Sequence, residues 1–307
     1  MRSIVRAQIF SIGRTSLALA VCGLAAASPA KAATVVYVKA DAAGANNGTS
    51  WIDAFTHLSP ALTAAVAGDE IWVAAGIYRP AGPGGDRAAT FQLKDGVGVF
   101  GGFAGNEASR DSRNSTANPT ILSGDLNGDD GPGFSNNAEN SYHVVTGSGT
   151  GATAVLDGFT IRGGNANGAS SPGDRGGRLY NSGGSPTLTG CTFSGNATSS
   201  NGAAIYNTSG SPTLTMCMFI GNSAANGAAL YNASGTPAMN RCTFGGNSAS
   251  TNGGAIYNAF GHSPILASCI LSGNTASSGG GLYSVGGNPA LTNCLLYGNS
   301  ANNGGGI

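Results

Sequence analysis

Apolar and polar positions alternate along this chain in short stretches, and the stretches themselves recur. Leu179-Tyr180-Asn181 returns as Ile205-Tyr206-Asn207, Leu230-Tyr231-Asn232, Ile256-Tyr257-Asn258 and Leu282-Tyr283-Ser284, and a sixth copy opens at Ile307. The steps are 26, 25, 26, 26 and 25 residues. Proline keeps the same phase at Pro186, Pro212, Pro237, Pro264 and Pro289. So does cysteine, at Cys191, Cys217, Cys242, Cys269 and Cys294. Each cysteine opens the pattern C-x-[F/L]-x-G-N, which ends at Asn196, Asn222, Asn247, Asn274 and Asn299.

A fixed period this short marks a solenoid. Each unit holds three stretches of strand composition, as in AIYN, PTLT and CTF, separated by Gly, Asn and Ser, which supply turns. None shows the i, i+3, i+4 apolar spacing of a helix. Three strands and three turns per unit make one coil of a parallel β-helix, right-handed as parallel crossovers are. The expected fold class is therefore all-β, with the regular coils over residues 176–307 and the helical course of the backbone starting near Ala89. Coils stack at the strand spacing of about 4.8 Å, so equivalent residues form columns. Leu179, Ile205, Leu230, Ile256 and Leu282 are expected in one inward column. Cysteine and the Phe two residues on share a face, also assigned inward. The Asn that closes each C-x-[F/L]-x-G-N is placed in a turn, its amide bonding along the stack.

Composition fits this picture. Glycine supplies 52 of 307 residues, and charged side chains are 9%, against roughly 25% in an ordinary domain. Disordered chains carry high net charge and few β-branched or aromatic residues, whereas here Ile, Val, Leu, Tyr and Phe recur at fixed places. Between Leu179 and Ile307 the one charged side chain is Arg241. An inward charge would be buried without a partner, which is costly. An outward charge repeated in every coil would face its own copy one strand spacing, about 5 Å, away. The five cysteines show neither C-x-x-C nor a histidine in phase, and parallel in-register side chains seldom meet disulfide torsions. They are read as buried free thiols.

The pairing of Gly202-Ala-Ala-Ile205 with Phe219-Ile-Gly-Asn222, and of Gly253-Gly-Ala-Ile256 with Leu271-Ser-Gly-Asn274, resembles the polymorphic outer-membrane protein repeat of bacterial surface β-helices. Gly176-Gly-Arg-Leu179 departs from it at the third position. The resemblance covers roughly residues 176 to 307. It implies a right-handed, pectin-lyase-like β-helix on an exported bacterial protein, and it does not imply catalysis.

The front of the chain has another composition. Residues 1–32 read as a signal peptide, with a basic start at Arg2, Arg6 and Arg14, an apolar run from Ser16 to Ala27, and Ala30-Lys31-Ala32 before the cut. The run is shorter than the roughly 20 residues that span a membrane, and Val21 before Cys22 does not fit a lipoprotein signal. Cleavage leaves ten basic against fourteen acidic side chains, net −4, which argues against a nucleic-acid partner. Residues 33–88 read as cap and first strands: Thr34–Lys39, a helix over Ala54–Ala67, then Asp69–Ala75. A solenoid must cover its open end, and the helix is assigned that task. Residues 89–175 are read as irregular coils, with Leu156-x-x-Phe159-x-Ile161 repeating the spacing Leu188-x-x-Cys191-x-Phe193, and with Gly163–Asp174 as a flexible insertion.

Candidate chemistry is confined to this front region. Gly96-x-Gly98-x-x-Gly101 has a dinucleotide-binding spacing, but the following residues, 102–106, do not read as a helix. Asp125-x-Asn127-x-Asp129-Asp130 resembles half of a calcium loop, with Asn136 where the closing Glu belongs and Glu139 out of register. Polysaccharide lyases of this architecture need several acids for calcium and an arginine base. The sister hydrolases need clustered Asp, G-H-G and R-x-K. Gly261-His262-Ser263 is a partial echo, and R-x-K is missing. His57 is assigned to the cap and His143 to a strand. The sequence therefore assigns no catalytic, cofactor-binding or metal-ligating residue and no cofactor. It points to an exported surface or secreted scaffold, adhesive or glycan-binding, with a polysaccharide or host-surface ligand. The alternative is a polysaccharide lyase or glycoside hydrolase. That reading requires three or more of Asp86, Asp95, Asp111, Asp125, Asp129, Asp130, Asp157, Asp174, Arg162 and Arg175 in one groove. The array ends within a repeat at Ile307, so further coils and self-association through an open last coil are expected.

Overall fold

A computed structural model describes residues 33–131, 135–169 and 173–307. The signal peptide assigned to residues 1–32 lies outside them. Short parallel strands wind into a β-helix whose three long sheets hold nine, eight and seven strands, with a fourth sheet of four. The nine-stranded sheet runs from Val35–Val38 through Glu70–Ala74, Gly98–Phe103 and Val155–Asp157 into the Thr187–Thr189 series and ends at Ala290–Thr292. The eight-stranded sheet starts at Gly76–Tyr78, continues through Thr120–Ser123 and Phe159–Arg162, and climbs to Leu295–Tyr297. The seven-stranded sheet carries Phe91–Gln92, Val145–Thr146 and the Leu-Tyr-Asn strands. The winding therefore begins at Val35, before the expected Ala89.

The repeat period fixes the register. Leu179 pairs with Ile205, Ile205 with Leu230, Leu230 with Ile256 and Ile256 with Leu282. All five are buried, in the column the sequence predicts. Leu188 pairs with Leu156 and Phe193 with Ile161, so the regular phase reaches back into the front coils. Inside, Phe193, Phe219 and Phe244 stack with centroids 5.0 and 4.8 Å apart and nearly parallel rings. Cys191, Cys217, Cys242 and Cys269 are buried free thiols, and Cys294 is half-buried. Each Sγ lies within 3.5–3.6 Å of a carbonyl of the preceding coil.

Two asparagine ladders replace charge in the core. Asn222 Nδ2 donates to Asn247 Oδ1, Asn247 to Asn274 and Asn274 to Asn299, at 2.8–2.9 Å. Each of these amides also donates to the carbonyl of the Phe in the coil before, as from Asn247 to Phe219 at 2.9 Å. The second ladder, Asn181 to Asn207 to Asn232 to Asn258, runs at 2.7–2.8 Å. The sequence pattern displays this second column without revealing its role.

Each regular coil carries four strands from Ser223 on, one more than expected. Ser223–Asn226, Ser248–Asn252, Thr275–Ser278 and Ser300–Asn303 form the fourth sheet. Their Ser, Ala and Asn content reads as turn because these residues have low strand propensity; stacking against identical neighbours overrides it. The recurrent first glycine of each unit has a local cause. Gly202 sits at φ 68°, and a Cβ there would lie 2.5 Å from the Ile205 carbonyl oxygen. The single array charge, Arg241, occupies an exposed left-handed corner at φ 54°.

The helix is Leu58–Ala64, shorter than the Ala54–Ala67 expected. His57 and Ala65 flank it with extended backbone. Its buried face, Leu58, Ala61 and Leu62, joins the main core over the first coil. Among the described residues no helix is long and apolar enough to cross a membrane.

Candidate functional site

Several charged side chains gather on one face of the eight-stranded sheet, in the front coils. There Ile77, Ile121, Thr160 and Thr192 stack in register, with Ser123 beside Arg162. Residues of the 124–140 segment rise beside this face and enclose a groove of about 520 Å³. Asp125, Asp130, Arg79, Arg162 and Arg178 line it, with Asn137 and Asn140. Through Ile77 and Arg79 it meets a second depression of about 400 Å³, lined by His57, Pro60, Pro80 and Pro83. The polar groove and the more apolar depression thus have Ile77 and Arg79 in common.

Local hydrogen bonds position the polar groove. Asp125 is buried, and its Oδ1 accepts from the backbone N–H groups of Gly128 at 2.6 Å and Asp129 at 3.1 Å. Arg79 Nε donates to the Asp125 carbonyl at 2.6 Å. Asn140 Nδ2 spans both carboxylate oxygens of Asp130, at 3.1 and 2.9 Å. Arg87 Nε in turn donates to the Asn140 carbonyl at 2.6 Å, and its Nη2 donates to Asn167 Oδ1 at 2.6 Å. In the insertion read as flexible, Asn165 and Asn167 are thus held by Arg87, and Asn165 and Ala166 are buried.

Arg178 explains the departure in Gly176-Gly-Arg-Leu179. The equivalent Ala204, Ala229 and Ala255 are fully buried small residues. Arg178 is itself only 2% exposed, and its Nη1 donates to the Ala197 carbonyl at 2.9 Å. Burial lowers its pKa to about 9, and the Asp130 charge opposes that shift. The Asp130 carboxyl is in turn held above the usual carboxylate range by burial; Asn140 counters this, and Asp125 and Glu139 add to it. Arg162 is exposed at the groove wall.

Carboxylate oxygens of Asp125, Asp129 and Glu139 all lie within 4.8 Å of one another. Glu139, out of register in sequence, is brought in by the fold. Several buried polar atoms around this spot lack a hydrogen-bond partner: Glu139 Oε1, Asn140 Oδ1, Ser141 Oγ and Arg178 Nε.

Of the ten charged residues singled out in the sequence, Asp125, Asp130 and Arg162 share this groove, with Asp129 in the adjoining carboxylate cluster. Asp111 and Asp157 fall in a separate depression with Phe100, Arg110 and Arg113, where Arg113 pairs with Asp157 at 2.8 Å. Asp95 accepts from Gly151 N–H, Asp86 caps its own turn at Ala88, and Asp174 pairs with Arg175. His143 packs on Tyr180 at 5.0 Å, and its Nδ1 lies 2.6 Å from the Gly176 carbonyl. Gly96 turns at φ 73°, while Gly98 and Gly101 belong to a strand. Arg79 and Asn140 were not legible as site residues; Glu139 showed beside the acidic run but out of register, and Arg178 showed as a charge where the repeat has alanine.

Residues 190–208 and 241–259 match the Chlamydia polymorphic membrane protein repeat. The chain is thus a parallel β-helix carrying repeats of that type. No curated protein sequence matches it. Among solved structures, a rhamnogalacturonan lyase aligns at 12% identity with a TM-score of 0.49, covering 84% of this chain and 62% of its own. The chain therefore spans less than two thirds of that protein.

Proposed function

We propose that this protein is an exported, surface-displayed β-helix scaffold whose outer groove binds a polysaccharide, with preference for an acidic one. The observation that carries the reading is the convergence of Arg79 and the exposed Arg162 on one groove, with Arg178 buried in its wall. The repeat array beyond Leu179 offers only Arg241. A guanidinium presents a planar fork that fits a sugar carboxylate. Asn137, Asn140 and the acids offer donors and acceptors to hydroxyl groups, and the more apolar depression at His57, Pro60 and Pro83 suits a sugar face. Surface display is supported by the leader-like residues 1–32 and by the type of repeat.

Titration calorimetry with oligouronates and neutral oligosaccharides of equal length tests this. The expected result is tighter binding of the oligouronate, weakened at least tenfold in Arg162→Ala and unchanged in Arg241→Ala. Absence of binding to either, or indifference to Arg162→Ala, would sink the proposal.

A second reading, cleavage of the bound chain, is favoured by one fact: Asp125, Asp130 and Arg162 share the groove, the gathering that a polysaccharide-cleaving enzyme requires. Incubation with polyuronate separates the readings. Unsaturated ends report a lyase, new reducing ends without unsaturation report a hydrolase, and an unaltered polymer leaves a binding protein.

A further inference from the structure

We infer that Asp125, Asp129 and Glu139, together with Asn140 Oδ1, form a calcium site in the groove wall. The three carboxylates approach within 4.8 Å of one another. The independent observation is Asn140. It is 99% buried by its 1% relative exposure and lines the same groove as Asp125 and Asp130. Its Nδ2 is committed to both Asp130 oxygens, which leaves the other end of the amide, Oδ1, in the same carboxylate-rich pocket with no donor. A buried amide oxygen without a donor destabilises the fold around it. A cation supplies the partner and relieves the repulsion between the acids.

The donor set is all oxygen, three carboxylates and an amide, with no His or Cys. That selects a hard divalent cation. The donors come from an irregular loop rather than from a rigid octahedral frame, which suits Ca²⁺ over Mg²⁺. Asp125 is already oriented by Gly128 N–H and Asp129 N–H through its Oδ1. Bound calcium would tie Asp125 and Asp129 to Glu139 and Asn140 beside the groove that Arg79 and Arg162 line. The inference does not depend on the glycan reading, because the ion is bound by protein atoms alone.

The test is calorimetric titration of the chelator-treated protein with calcium chloride, and separately with magnesium chloride, in the absence of any glycan. One Ca²⁺ per chain is expected, with a dissociation constant on the order of 10⁻⁴ to 10⁻³ M, as in extracellular modules. Magnesium should bind at least tenfold more weakly. Asp129→Asn and Glu139→Gln should each weaken calcium at least tenfold, while Asp111→Asn leaves it unchanged. Asp129 is exposed, so its variant keeps the fold, as an unchanged circular dichroism melt will verify. No saturable calcium binding, equal binding of magnesium, or full binding in Asp129→Asn would overturn the assignment.

Discussion

The coils before and after Leu179 share sheets, register and core, yet they satisfy their polar groups in opposite ways. Beyond Leu179 the chain repeats one unit. Most buried amides there bond to their own copies in the next coil, as from Asn222 to Asn247 and from Asn207 to Asn232. Before it, no unit repeats, and polar groups find unlike partners: Arg113 on Asp157, Arg110 on Glu70, Asn140 on Asp130. The boundary shows the cost of changing from one scheme to the other. Asn181 Oδ1 and Asn196 Oδ1, in the first regular coil, lack donors because the coil before carries no matching Asn, and Asn196 Nδ2 also lacks a partner. A self-pairing ladder stabilises but cannot vary from coil to coil. Function that needs charge is left to the region where the repeat has lapsed, and the groove lies there.

The sharpest way to break this contrast is to put a charge into a ladder. Asn232 is fully buried, accepts from Asn207, and donates to Asn258 Oδ1 at 2.8 Å and to the Gly235 carbonyl at 3.1 Å. In Asn232→Asp a carboxylate oxygen faces those two acceptors. The expected loss is about 4 kcal/mol at neutral pH, because a fully buried carboxyl stays protonated there and each pH unit above an unfolded pKa near 3.9 costs about 1.4 kcal/mol. The folded-state pKa of the new acid is raised above its unfolded value. Stability should therefore be lost as pH rises through that value and recovered as it falls. Urea unfolding at several pH values measures this, and a pH-independent loss would show that geometry rather than charge is at fault.

The apolar ladder comes next. Phe219 packs between Phe193 and Phe244 at 5.0 and 4.8 Å and is fully buried. Phe219→Ala should cost roughly 3–5 kcal/mol, the transfer term plus the cavity. Urea titration followed by circular dichroism checks it.

The front coils should tolerate much more. Arg110 is 43% exposed on its side chain and Glu70 29%. Glu70 also accepts from Trp72 Nε1, so it retains a partner when Arg110 is removed. Arg110→Ala should cost no more than about 1 kcal/mol, as exposed pairs do. A larger loss in the same unfolding assay would mean that the front coils depend on their ion pairs as the array depends on its amides.

Legibility followed the same division. The array could be read from its period, because a repeated coil places every residue by placing one: Leu179, Cys191 and Phe193 took their columns with them. The fourth strand escaped because Ser-Ala-Ala-Asn carries no strand propensity of its own. The groove escaped because its parts are far apart in sequence and obey no period. Arg79 reaches Asp125, Arg87 reaches Asn140, and Arg178 lies beside Asp130 through contacts set by loops. Glu139 was visible nearby, but a linear ligand spacing could not anticipate a loop that folds back on itself.

The smallest effect tests the reason given for the missing charge. Ser223, Ser248 and Thr275 are exposed and stack in register on the fourth sheet. A single Ser223→Glu or Ser248→Glu places a solvated charge with no like neighbour and should change stability by less than about 0.5 kcal/mol. The double variant sets two carboxylates one strand spacing apart. At about 5 Å in water, with a Debye length near 10 Å, the repulsion comes to roughly 0.5 kcal/mol. The coupling from a double-mutant cycle should have that size and disappear near 1 M salt, where screening reaches about 3 Å. Adding Thr275→Glu creates a second such contact and should about double the loss. The per-contact figure is small, but a charge in every unit would incur it at every interface between coils, whereas asparagine at the same period adds a bond at each. A coupling of zero at low salt would remove repulsion as the cause, and the burial cost tested by Asn232→Asp would then have to explain why the array carries so little charge.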